Sequence, residues 1–478
     1  MTRVLLLALG LQLGLMGDAR VAAEPVEAFR LPRAADDQSL DVSPGKSDVT
    51  VVCFLSTECP VARLYASRLG KLSAELTGRG VRFVGVSSNR QDSRDDVVAF
   101  ATHYGIPFEI GLDYRNVLAD RFHVQRVPEV FVLDRDLVIR YRGRVDDQYD
   151  PGQARAEPQQ HYLLDAIHDV LAGRPVTLAS TQATGCLLGR VREPVVTSDV
   201  TYANQIARLF QQHCIECHRE GEIGPFSLTE YEEALGWGEM ILEVVENGRM
   251  PPWHADPAVG HFINERHLSK EEIANLHKWV ENGMPFGDPK QLPEKQVFTS
   301  GWRLSAAPDL VLSMSDHAFE IPAEGTVDYQ YFVVDPDFEE DRWVTQVEVR
   351  PGNASVLHHS LVFIRPPDGE EFRGIGWLAG YVPGQRPAQF PPGSAIRIPA
   401  GSKLVFQQHY TPSGKPQQDI TQVALRFATP EEVSHEVYCL LGMNQSFESP
   451  PQAADHVVHS SVQRLPKRAS LLSIMPHM

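Results

Sequence analysis

Cys214-Ile215-Glu216-Cys217-His218 is the stretch from which the organisation of this chain can be read. Two thiols separated by two residues can each add to a vinyl group of haem, and the imidazole that follows then lies under the iron as an axial ligand. The same Cys-x-x-Cys spacing serves zinc and thiol-redox sites, so the surroundings decide between them. Upstream, residues 202–210 carry Ile206, Leu209 and Phe210 at helical spacing, so the pentapeptide closes an amphipathic helix. Downstream, Gly248-Arg249-Met250-Pro251-Pro252-Trp253 places a thioether in a proline-stiffened loop that cannot be helical, as an axial ligand on the opposite haem face requires. His254 is the nearest rival for that role.

On these residues, 201–288 resembles a class I cytochrome c. The resemblance implies covalent haem c on Cys214 and Cys217, with His218 as proximal and Met250 as distal iron ligand. Helices are expected over 229–247 and 269–282, the second opened by a capping-box pattern, Ser269 with Glu272. Residues 285–293 are rich in Pro and Gly and mark a boundary, with 289–300 read as linker.

The 478 residues suggest about three domains. A formal charge of -18, with no basic cluster, argues against nucleic acid and anionic lipid as partners. Residues 1–23 read as a secretory signal peptide: Arg3, an apolar run over 4–16, and Val21-Ala22-Ala23 before Glu24. No later stretch is long enough to span a bilayer, so the mature chain is expected in the periplasm or secreted. There disulfides are permitted, and Cys53, Cys59, Cys186 and Cys439 allow three pairings.

Within 24–175, Thr50-Val51-Val52-Cys53-Phe54-Leu55 suits a strand buried on both faces. A helix follows, bearing Leu64, Leu69, Leu72 and Leu76; then a strand over 81–87, a helix over 93–104, and strands over 129–133 and 138–141. Such alternation implies a central sheet with helices packed on it. Cys59 begins the first helix with Pro60 at its first position, where backbone N–H groups favour a thiolate; Glu58 opposes this. The segment resembles the thioredoxin-like redoxins and peroxiredoxins. Ser56-x-x-Cys59 stands in the place of their active-site motif, and Val127-Pro128-Glu129-Val130-Phe131 matches their loop with a cis proline beside the active thiol. Position 62 is Ala62, so no second cysteine lies within the helix turn and a distant partner is required. Cys186, in an unpatterned 176–200 read as linker, is the leading candidate. Cys59 is expected as an exposed, fast-reacting thiol, and Cys53 as a small buried hydrophobe.

From 301 to 478 the pattern changes to short alternating segments, 343–349, 355–364, 403–410, 423–427 and 437–441, which predict an antiparallel β-sandwich of jelly-roll type. Three imidazoles in it, His358, His359 and His409, can hold copper, or equally zinc. Val356-Leu357-His358-His359 and Leu404-Val405-Phe406-Gln407-Gln408-His409-Tyr410 are similar to motifs of the copper type II, ascorbate-dependent monooxygenases. The resemblance implies that the three histidines form that family's electron-transfer copper site. It also implies a second copper, of which Leu471-Leu472-Ser473-Ile474-Met475-Pro476-His477-Met478 resembles the beginning, with His477 as first ligand. The remaining ligands have no counterpart, so the chain is expected to be truncated relative to a longer protein and unable to hydroxylate by the two-copper route. Met443, His456 and His459 are weaker substitutes.

The expectation is therefore an exported multidomain redox protein: an α/β thioredoxin-like domain, a small all-α cytochrome c and the first half of a copper monooxygenase-like module. It would use haem c and copper, an external electron donor, and an unidentified small-molecule or peptide substrate. Two alternatives are a thiol peroxidase or disulfide reductase acting through Cys59, and a non-catalytic haem-based sensing or binding protein.

Overall fold

The computed structural model describes residues 25–478 apart from 151–152, 254, 257, 299–300, 449, 451–452, 454–455, 463–465, 467 and 476–478. The signal-peptide reading, His254 and His477 lie outside the described residues.

The N-terminal part is a five-stranded sheet in the order Ile110–Leu112, Val81–Ser87, Val49–Leu55, Glu129–Asp134, Ile139–Gly143. The first three strands run parallel and the last two antiparallel to their neighbours. Every residue of Val49–Leu55 is buried, as the unbroken apolar run requires. Alternate residues feed two cores: Val51, Cys53 and Leu55 face one, Val52 and Phe54 the other. Helix Pro60–Leu76 starts at Cys59 with Pro60 in its first turn, and Arg94–Tyr104 carries a capping box between Ser93 and Asp96. Strands Phe29–Pro32 and Ser39–Val42 and helix Tyr162–Leu171 complete this part; the alternating pattern does not announce them.

A small helical part follows. A π-helical turn, Tyr202–Ile206, leads into helix Ala207–His213, and Cys214 is its C-cap. The expected helix over 229–247 is two pieces, Tyr231–Ala234 and Gly238–Glu246, because Trp237 turns inward between them at 1% exposure. Lys270–Glu281 begins at the Ser269/Glu272 capping box. Phe210, Trp237 and Trp279 fill this part's core.

The C-terminal part is strand-rich. One sheet runs Leu310–Ser313, Gln422–Ala428, Arg342–Arg350, Ser394–Ile398, His435–Glu436, with Ala388–Gln389 also pairing with Arg342–Arg350. A second runs Gln330–Val334, Lys403–Tyr410, Leu357–Arg365, Trp377–Tyr381. Val344, Val347 and Leu425 of the first share a core with Val362, Leu404 and Phe406 of the second. The strand expected over 437–441 is absent; only His435–Glu436 pairs there, in parallel with Ser394-Ala395. Among the described residues no helix is long and apolar enough to cross a membrane.

Candidate functional site

Cys186 is the first surprise of the region read as linker. Cys186–Leu187 is a two-residue strand paired antiparallel with Arg126–Val127, which sets Cys186 opposite Val127. The Cys59 sulfur donates to the Val127 carbonyl at 3.2 Å, and the Val127-Pro128 bond is cis. Gly185, with φ +131°, lets the chain pass where a Cβ would stand 2.1 Å from the Val127 oxygen.

The two thiols are thereby brought close enough for each to shift the other's pKa. Burial pushes the Cys59 thiol up, but the bond from Cys186 and the N–H groups of Ala62, Cys186 and Val61 outweigh it and hold Cys59 below the ordinary thiol value. Cys186 is pushed well up, first by its bond to Cys59 and then by burial. Cys59 is 0% exposed, which corrects the expected accessible thiol: the strand at 186–187 and the helical part lie over it. Cys53 faces the opposite core, and burial pushes its thiol far up.

Across this covered face, Arg126 binds Glu243 at 2.5 Å and the Leu187 N–H meets the Met240 sulfur at 3.4 Å. The indole N–H of Trp237 donates to the Glu58 carboxylate at 3.2 Å. Burial, seconded by Asp92, pushes the Glu58 carboxyl up to about 7, against the lowering effect of the Trp237 bond. Glu58, Trp237 and Met240 carry no sequence signal of this role, since neither a motif nor a periodicity distinguishes them.

In the helical part, the N–H groups of Cys217 and His218 both bond to the Cys214 carbonyl, at 3.1 and 3.0 Å, folding the pentapeptide into a turn. Burial pushes Cys214 up to about 12 and raises Cys217, the opposite direction to Cys59. His218 Nδ1 lies 3.2 Å from the Phe226 carbonyl. A carbonyl only accepts, so Nδ1 carries the hydrogen and Nε2 presents its lone pair, which is what an axial iron ligand needs. Burial holds the His218 imidazole neutral by lowering its pKa. Met250 is anchored by its N–H to the Val244 carbonyl at 2.9 Å, and its side chain, 40% exposed, stands outside the core. These residues fit a covalent haem. Beside them, a Cβ at Gly384 (φ +75°) would lie 3.0 Å from the Cys217 sulfur, and Arg266 ties the Gly384 carbonyl, at 3.1 Å, to Glu216, at 2.5 Å.

The third centre is in the strand-rich part. His359 pairs with His409 across neighbouring strands, and a bulge between Leu357 and His359 falls at His358. Without it, successive side chains would point to opposite faces; the bulge brings all three imidazoles together. Their ring centroids are 5.0–5.3 Å apart, and one nitrogen from each can lie within 4.8 Å of the others. Tyr329 stacks on His409 at 4.8 Å. Met443 and His456, the weaker candidates, are exposed.

Residues 22–142 match the AhpC/TSA family, and 202–280 match the family of cytochrome c oxidase, cbb3-type, subunit III. Among solved structures, the chain is 26% identical to an uncharacterized conserved protein from Geobacillus kaustophilus, over 36% of this chain and 93% of that one, with a TM-score of 0.33. It is 17% identical to a secreted Mycobacterium tuberculosis disulfide oxidoreductase homologous to E. coli DsbE, over 30% and 95%, with a TM-score of 0.24. It is 21% identical to StoA from Bacillus subtilis, over 25% and 88%, with a TM-score of 0.23. No curated protein matches the chain. A thioredoxin-like domain of AhpC/TSA type is thus joined to a cbb3-type cytochrome c domain, and the chain is a redox protein.

Proposed function

We propose that the chain is an exported electron-transfer protein with three redox centres in its three successive parts. Cys59 and Cys186 form a dithiol that closes to a disulfide with loss of two electrons. Cys214 and Cys217 bind haem c, with His218 and Met250 as its axial ligands; when bound, the haem supplies a one-electron centre. His358, His359 and His409 hold copper, in a β-sandwich of jelly-roll type akin to the electron-transfer half of the copper type II monooxygenases.

The observation that carries this reading is the meeting of Cys59 and Cys186 at Val127, one through its thiol and the other through strand pairing. In the reduced pair Cys59 is the more acidic thiol, favoured by its neighbours, and Cys186 the less acidic. Closing the disulfide from the two thiols releases two protons and two electrons. Around the haem, Phe226 orients the His218 ring through its carbonyl, and the burial of that ring keeps Nε2 unprotonated. His358, His359 and His409 would hold a copper ion through one nitrogen each and supply a one-electron centre there.

The test is cofactor content of the exported protein, matured in a host that attaches haem c, beside a His358→Ala/His359→Ala variant. One covalent haem and one copper per chain, with the copper alone lost in the variant, is the expected result. Absence of covalent haem, or copper retained in the variant, overturns the corresponding part of the reading.

A further inference from the structure

Cys59 has no exposed surface, and Cys186, its partner, is only half-exposed. Thiol–disulfide exchange with a protein substrate needs a thiolate to approach an incoming sulfur, and the covered face denies Cys59 that approach. What does leave the site is a run of aromatic contacts. Glu58, next to Cys59, accepts from the Trp237 indole N–H at 3.2 Å. The Trp237 ring is stacked on Phe226, centroids 3.8 Å apart and planes within 9°. Phe226 lies 4.8 Å, ring to ring, from His218 and takes the His218 Nδ1 hydrogen on its carbonyl.

We infer that the Trp237–Phe226 stack is the electron path from the Cys59/Cys186 dithiol to the haem ligand His218, so that the thiol site discharges internally. This rests on the thiol and haem centres proposed above. The Cys59 and Cys186 thiols form one S–S bond and release two protons and two electrons. The electrons leave singly toward the haem iron, which an external one-electron acceptor must reoxidise between them. Trp237 and Phe226 supply overlapping π-systems over the gap, where saturated side chains would couple the centres weakly. Thioredoxin-fold dithiols sit at negative potentials and Met/His ligation raises that of haem iron, so electrons run from sulfur to iron.

The experiment uses holoprotein with ferric haem and the disulfide closed. A stoichiometric amount of a small phosphine, which reduces disulfides, is added anaerobically, and ferrous haem is followed by absorbance while thiols are counted by maleimide labelling. The expected result is a first phase of haem reduction whose rate is independent of protein concentration. One thiol pair is consumed for every two haems reduced, the second on another chain. Phe226→Leu slows the first phase by about tenfold or more, and Trp237→Leu, which removes the other ring of the stack, slows it likewise. Both variants retain full haem content, and in haem-free protein the midpoint potential of the thiol pair, read by labelling, is unchanged by Phe226→Leu. Where Phe226→Leu does not accumulate, Phe226→Met takes its place.

A wild-type rate in the Phe226 variant overturns the path. Ferric haem persisting beside reduced thiols in wild type also overturns it, and leaves the two proposed centres standing. Haem reduction undiminished in Cys59→Ser overturns instead the proposal of the thiol centre itself.

Discussion

Cys59 and Cys186 meet at Val127, whose carbonyl takes the Cys59 thiol hydrogen and whose strand pairs with Cys186, although one caps a long helix and the other sits in a two-residue strand. Oxidised wild-type protein, denatured and labelled without reduction, should therefore show only Cys53 and Cys439 as free thiols. In Cys59→Ser or Cys186→Ser the orphaned partner joins them. Labelling of Cys186 in the oxidised wild type would mean that the pair does not close.

Gly185 makes that contact possible. An alanine there would adopt φ +131° with its Cβ 2.1 Å from the Val127 oxygen. Gly185→Ala should destabilise the protein by more than about 1 kcal/mol. It should also reduce the fraction of Cys59 and Cys186 found as disulfide, measured by the same labelling. A variant as stable and as fully oxidised as wild type would contradict the close passage.

Glu58 offers a pH signature. Its folded-state pKa is raised from the ordinary 4.5 to about 7, mainly by burial. The folded state therefore holds the proton more tightly than the unfolded one, and this contribution to stability is present below pH 4.5 and lost as pH rises through about 7. Glu58→Gln, whose amide oxygen still accepts from Trp237, should flatten that fall and be more stable at pH 8, by on the order of 2 kcal/mol after allowance for partial exposure. Denaturant unfolding at pH 4.5 and pH 8 reads the difference; parallel losses in both proteins would refute it.

The three histidines make a metal prediction. Since one nitrogen from each lies within 4.8 Å of the others, His409→Ala should weaken copper binding by at least about tenfold. His317→Ala, at an exposed position, should leave it unchanged. Equal affinities in a copper titration of the two variants would remove the site.

What could be read in advance depended on the length of each pattern. Val49–Leu55 and Lys270–Glu281 announce themselves, because seven buried strand residues and a capped amphipathic helix leave periodic traces. Cys214, Cys217 and His218 stand out because the chemistry proposed for them demands adjacency in sequence. Cys186 carries no such trace, since a two-residue strand has no period, and only its being a leftover cysteine singled it out. The convergence of His358 with His359 depends on a bulge, which alternation argues against. Trp237 and Phe226 would pass for ordinary core aromatics until the helical part is seen lying over Glu58.

The glycine at 384 has a bearing on time as well as space. Its loop lies against the Cys217 sulfur, held through Arg266 to Glu216 inside the pentapeptide 214–218. On the proposed reading, the sulfur must be open to a haem vinyl group while the thioether forms. Attachment would therefore have to precede the settling of residue 384. The strand-rich part would then close over a loaded cytochrome, and delayed haem supply should leave a chain folded shut before the thioether can form.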